Sequence, residues 1–202
     1  MRFKTLFSGL VTLVVAALPL QGVQAAETEV HVSYVRPDVD YTNYDKFLIQ
    51  PLDISDTKLV PPPWVEGKAG QPRPWKISQK NAEFLQGQYT SAMKKQLQDK
   101  GGYKLTTEAG RDTLEVEIEI ISLTPYAQPD ENVITKGSGE MTIRAEVRDS
   151  RGGDILVIYE GDVQVGEDYH EHTEFSVDQD VEAVFEDWGE HLRLALDEAR
   201  AE

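Results

Sequence analysis

The amino-acid sequence predicts a single α+β domain: an antiparallel sheet of about four to five strands with two amphipathic helices packed on one face. Three observations predict it. Residues 113–123 alternate Leu114, Val116, Ile118 and Ile120 with Glu115, Glu117 and Glu119, the period of two of a strand with one buried and one wet face. Residues 140–149 and 155–165 repeat the alternation in close succession, which suits antiparallel neighbours. Two other segments, 78–100 and about 177–200, place apolar residues every three and four positions, as helices with one apolar face do.

The elements follow in chain order. Residues 30–35 alternate and form a short strand or extended lead-in that Pro37 ends; residues 45–50, with Phe47, Leu48 and Ile49 before Pro51, form a buried strand. Residues 58–76 hold Pro61, Pro62, Pro63, Pro72 and Pro74 with Trp64 and Trp75. Proline removes backbone donors and fixes φ, so this stretch is a loop of polyproline character. Ser78 is placed to cap the first helix, in which Leu85, Tyr89, Ala92 and Gln96 form one line and Phe84, Met93 and Leu97 widen its apolar face; Gly101 and Gly102 stop it. Tyr103 to Thr107 is a short strand. In the next long strands Met141, Ile143, Ala145 and Val147 point inward, while Arg144 and Arg148 point outward, where they can meet the glutamate row for about 0.2–1 kcal/mol per exposed pair. Arg151-Gly152-Gly153-Asp154 is a hairpin turn, and residues 166–174 are a polar acidic loop. In the last helix Ser176 and Gln179 have capping-box spacing, and Val181, Val184, Phe185, Trp188, Leu192, Ala195, Leu196 and Ala199 form the stripe. Packing both helices on one side leaves the glutamate-bearing sheet face in water, available for contact.

The first 25 residues have the order of a secretory signal peptide: Arg2 and Lys4, an apolar run from Leu6 to Leu20, then small residues ending Val23-Gln24-Ala25, with cleavage expected before Ala26. The run is short for a membrane span, which needs roughly 20 residues. Residues 26–202 are then a single domain. Removing residues 1–25 takes away two positive charges and no negative ones. From 20 basic and 36 acidic side chains this leaves 18 and 36, a net charge of −18. A chain this acidic is not expected to bind nucleic acid, whose phosphates need a concentrated basic surface. It has no cysteine, which excludes disulfides, zinc–cysteine sites, iron–sulfur clusters and thiol nucleophiles. The expected location is the bacterial periplasm, with secretion as the alternative, and no transmembrane segment is expected in the mature chain.

The segment Tyr41-Thr42-Asn43-Tyr44-Asp45-Lys46-Phe47-Leu48-Ile49-Gln50-Pro51-Leu52, the tryptophan-bearing loop, the helix ending near Gly101, the strand and turn from Glu140 to Gly153, and the stretch Val181 to Gly189 with Leu192 and Leu196 resemble a bacterial envelope family. It is catalogued as domain of unknown function 3313. Many of its members look like lipoproteins; this chain lacks the cysteine that would carry the lipid. The resemblance brings no established activity and no catalytic residues.

Chemistry-bearing motifs are sparse. His170 and His172, among Glu167, Asp168, Glu171 and Glu174, are the candidate metal ligands, because alternate residues of a strand project to one side. A solvated acidic loop carrying two histidines is the competing reading. His191 lies beside the apolar stripe of the last helix as a boundary histidine, and His31 has no motif around it. Gly137-Ser138-Gly139 lacks the spacing of a nucleophile elbow and reads as a turn before a strand. No phosphate-cradling glycine loop is present, and no cofactor is expected. Trp64 and Trp75 carry the stronger functional lead: they either fold back as a lid on the core or anchor a partner, since tryptophan buries much area at low entropy cost. The expected function is that of a non-enzymatic accessory or binding module of the cell envelope with an envelope protein as partner; the alternative is a metal-binding protein or metal-dependent hydrolase using His170 and His172. The oligomeric state is left open.

Overall fold

The computed structural model describes residues 30–61, 77–127 and 131–201. The strands are β1 (His31–Val35), β2 (Lys46–Ile49), β3 (Lys58–Leu59), β4 (Lys104–Leu105), β5 (Thr113–Pro125), β6 (Ile134–Lys136), β7 (Gly139–Asp149), β8 (Ile155–Val165) and β9 (Tyr169–Glu171). The helices are α1 (Gln79–Met93), continued by a π-helical segment over Lys94–Lys100, and α2 (Glu174–Ala199).

The main sheet has seven strands in the order β1-β8-β7-β5-β2-β4, with β3 pairing farther along β5. It is mixed, which corrects the expected antiparallel sheet of four to five strands. β5, β7, β8 and β1 are antiparallel neighbours, but β2, β3 and β4 run parallel to the strands they pair with. The chain leaves β2, crosses over through α1 and returns as β4 beside it, and such a crossover makes neighbours parallel. Strands of two to four residues carry too little alternation to show direction or number.

The core is one cluster. Leu114, Val116, Ile118 and Ile120 of β5 and Met141, Ile143 and Val147 of β7 meet Leu85, Tyr89, Met93 and Leu97 of the first helix and Val181, Val184, Phe185 and Trp188 of α2. Phe185 is completely buried and stands edge-on to Tyr89 and Trp188, with centroids 5.9 and 5.1 Å apart. Ser78 caps α1 as expected, its hydroxyl accepting from the Asn81 N–H at 3.1 Å. The π-helical turns after Met93 bury Gln96 and Leu97 together, and Gln96 packs against Gly189 of α2.

α2 begins three residues earlier than expected. Its cap is Thr173 rather than Ser176, and Ser176 is the partner within the capping box: Thr173 Oγ1 accepts from the Ser176 N–H at 3.1 Å and Ser176 Oγ accepts from the Thr173 N–H at 3.0 Å. The expected loop at 166–174 contains β9, which pairs antiparallel with β6 in a separate two-stranded ribbon. Of the expected loop at 58–76, Lys58 and Leu59 form β3 against Ser122 and Leu123. Trp64 and Trp75 lie outside the described residues.

Candidate functional site

The outer sheet face is built by the alternation read from the sequence. Glu115 lies opposite Arg148 and Glu119 opposite Arg144, while Glu117 lies opposite Glu146. The arginines close their ion pairs along their own strand and on β8. Arg144 meets Glu146 at 2.8 Å and Glu160 at 3.5 Å, and Arg148 also meets Glu146. Glu146 is the most buried of these four side chains, and two guanidiniums on it offset its repulsion with the facing Glu117 carboxylate. Beside this face, Gln50, Pro51, Leu52, Asp53, Glu115 and Glu117 line an open cleft of about 360 Å³. Gln50 donates to Glu115 across it.

The second feature lies where the ribbon meets α2. Asp180 on the second turn of α2 accepts from the Ser138 hydroxyl at 2.5 Å and from His170 Nε2 at 2.8 Å, both on Oδ2. Gly166, at φ +80°, passes so close that a Cβ there would strike the Asp180 carboxylate, and Gly137 turns at φ +68° beside it. The start of β7, the end of β8, β9 and α2 thus meet on one carboxylate. His170 Nδ1 lies 3.1 Å from the Glu171 carbonyl oxygen. A carbonyl oxygen and an ionised carboxylate only accept, so both ring nitrogens donate and the geometry fits the imidazolium. Burial works against that charge, but the bonds to Asp180 and the Glu171 carbonyl, with the charges of Asp180 and Asp168, outweigh it and raise the His170 pKa.

His172, two residues on, behaves oppositely. Its N–H bonds the Val133 carbonyl at 2.9 Å, and its ring Nδ1 is buried without a partner among the described residues. Burial, then the charge of His170, lowers its pKa. Among the described residues no three His, Asp or Glu side chains are grouped to hold a metal ion. The Ser138–Asp180–His170 set also differs from a nucleophilic triad. Serine and histidine both bond the same carboxylate oxygen, so the hydroxyl hydrogen goes to the acid and His170 is not its base. Ser138 was read in the sequence as part of a turn; its tie to Asp180, 42 residues away, has no local signal. His191, expected at the boundary of the apolar stripe, is an exposed side chain of α2, and the hydrogen bond to Asp187 raises its pKa.

The third feature is apolar. Ile134 on β6, Tyr169 on β9 and Phe175 in the first turn of α2 are exposed by 70, 77 and 71%. In the ribbon register Ile134 opposes Glu171 and Lys136 opposes Tyr169, while Thr135 opposes His170. His170 faces α2, so Ile134 and Tyr169 face away from it.

A family model described as Protein of unknown function (DUF3313) matches residues 15–192. The chain belongs to this family. No curated protein matches it. Similar solved structures include the PelC dodecamer from Paraburkholderia phytofirmans, at 7% identity over 80% of this chain and 96% of that one, with a TM-score of 0.39. Protein XCC0632 from Xanthomonas campestris is 10% identical over 79% of this chain and 86% of its own, with a TM-score of 0.42. A putative neuraminyllactose-binding hemagglutinin homolog from Helicobacter pylori is 9% identical over 92% of each chain, with a TM-score of 0.39. DUF3313 membership therefore identifies the chain without assigning it an activity, and no helix among the described residues is long and apolar enough to cross a membrane.

Proposed function

We propose that this DUF3313 chain is a non-enzymatic accessory or binding module of the bacterial cell envelope, exported to the periplasm by residues 1–25 and acting as one domain over 26–202. The observation that carries the reading is the apolar display of Ile134, Tyr169 and Phe175 at the ribbon end, where folding leaves three large side chains in water. Large exposed apolar groups with a polar rim are what interaction sites present. Trp64 and Trp75 are the further proposed anchors, and an envelope protein is the proposed partner. Recognition would combine aromatic burial with an acidic surface that turns away wrong partners.

The test is photo-crosslinking in cells from positions 64, 75 and 169, with the products identified by mass spectrometry. A discrete partner that disappears when Ile134, Tyr169 and Phe175 are changed to serine is expected. Intramolecular products alone from all three positions would sink the proposal. The rival reading, a metal carrier or metal-dependent hydrolase on His170 and His172, draws on the unpartnered Nδ1 of His172. It requires His170 to release Asp180 or the Glu171 carbonyl. Metal content that stays the same after replacing both histidines with alanine would remove it.

A further inference from the structure

The ribbon of β6 and β9 stands outside the main sheet, and its two edges differ. Just beyond the strands, the His172 N–H bonds the Val133 carbonyl and the Gly137 N–H bonds the Asp168 carbonyl, each at 2.9 Å. Hydrogen-bonded pairs alternate along an antiparallel ladder, so Thr135 and His170 are the bonded pair between these two. The N–H and C=O groups of Ile134 and Lys136 therefore point the other way, along the outer edge of β6. Among the described residues no backbone group meets them there. β9 differs, because its chain turns straight into α2. Its Glu171 carbonyl accepts from the Ser176 hydroxyl at 2.8 Å. The start of α2 thus closes one edge of the ribbon and leaves the other open.

The open edge is exposed and firmly mounted. Ile134 is 70% exposed, and Lys136 is exposed beside it on the same face. At the root of the ribbon Gly137 lies so close to the Val165 and Gly166 carbonyls that a Cβ would strike them. Thr135 Oγ1 donates to the Gly137 carbonyl at 2.6 Å, and His170 is tied to Asp180 at 2.8 Å. An edge ordered beforehand loses little further freedom on binding. Two strands of three residues are also fewer than the three strands a sheet needs to be stable by itself.

Resting on the binding-module reading above, we infer that an extended segment of the envelope partner adds to the outer edge of β6 as a third strand of the ribbon. Charge selects the segment. Lys136 is the single Lys or Arg of the two strands and joins no ion pair among the described residues, so it fits an acidic residue of the segment. Ile134, two residues earlier on the same face, fits an apolar one. Glu167, Asp168 and Glu171 belong to the β9 arm, so a carboxylate arriving at the β6 edge meets the cation first. One carboxylate is enough, because the net charge of −16 opposes more. The segment is therefore an extended one with an apolar residue and a carboxylate two positions apart. In strand addition the main-chain bonds supply affinity and the alternate side chains supply specificity.

The experiment is photo-crosslinking in cells from position 169, in full chains that carry single substitutions at Lys136, each checked by circular dichroism after purification. Lys136→Pro removes the outward N–H and leaves the bonds to β9 in place, as proline does on an open strand edge. Lys136→Ala keeps the donor, Lys136→Arg keeps the charge, and Lys136→Glu reverses it. The yield of the crosslinked partner is expected to stay within about threefold in the alanine and arginine variants and to fall at least about tenfold in the proline and glutamate variants. Capture by itself does not count; the contrast between variants does. If Lys136→Pro fails to fold, the contrast of arginine with glutamate decides. Equal yields from the alanine and proline variants, or from the arginine and glutamate variants, overturn strand addition while leaving the binding module to act through its side chains. A partner captured from 64 or 75 and never from 169 does the same. Intramolecular products alone from all three positions overturn both readings.

Discussion

Asp180 joins four elements through two hydrogen bonds and one close glycine. Its loss strands a buried hydroxyl on Ser138 and an imidazolium on His170. Asp180→Ala is therefore expected to lower the unfolding free energy by about 1–3 kcal/mol, measured by urea titration. Gly166→Ala should be destabilising too, since it places a Cβ at φ +80° and against the same carboxylate. The pH dependence follows from the direction of each histidine shift. His170 binds its proton more tightly when folded, so its contribution is full below the ordinary value of 6.5 and fades as the pH rises through the raised folded value. His172 has the opposite sign: its contribution is present above 6.5 and is lost as the pH falls through the lowered folded value. His170→Asn should thus cost most urea resistance at mildly acid pH and little in the alkaline range. An equal loss at every pH would contradict the charged assignment. None of this was legible locally. Gly137-Ser138-Gly139 and His170 are far apart in the chain, and only the packing of α2 brings Asp180 to both.

Amphipathic elements were legible because burial imposes a period on them. The stripe of α2 through Val184, Phe185 and Trp188 lies in the core as its spacing requires, and so does the inward row of β5. Phe185→Ala should therefore cost about 3–5 kcal/mol, because the void between Tyr89 and Trp188 cannot be refilled by rotation of two rings already held edge-on. Calorimetry or urea unfolding measures it, and a cost under about 1 kcal/mol would mean that the two helices repack. Element ends were less legible. Ser176 has a partner at the right spacing in either direction, Thr173 before it or Gln179 after it, and sequence alone does not choose. The geometry chooses Thr173, which adds the turn that carries Phe175 into solvent. The ribbon of β6 and β9 escaped because three residues a strand show no alternation to read. The π-helical turns after Met93 have no distinct pattern either.

At the scale of the molecule, topology decides which residues share a sheet edge or a site. By itself the sequence determined the α+β class, the two helices, the long β5–β7–β8 meander, the family and the strongly acidic surface. Those depend on periodicity and composition, which each segment carries locally. The tertiary structure alone decided that β2, β3 and β4 run parallel to their neighbours, that β1 is an edge, and that Ser138, His170 and Asp180 share one site. Strand partners and convergent side chains are relations between residues far apart in the chain, and they exist only once the core has chosen which faces to bury.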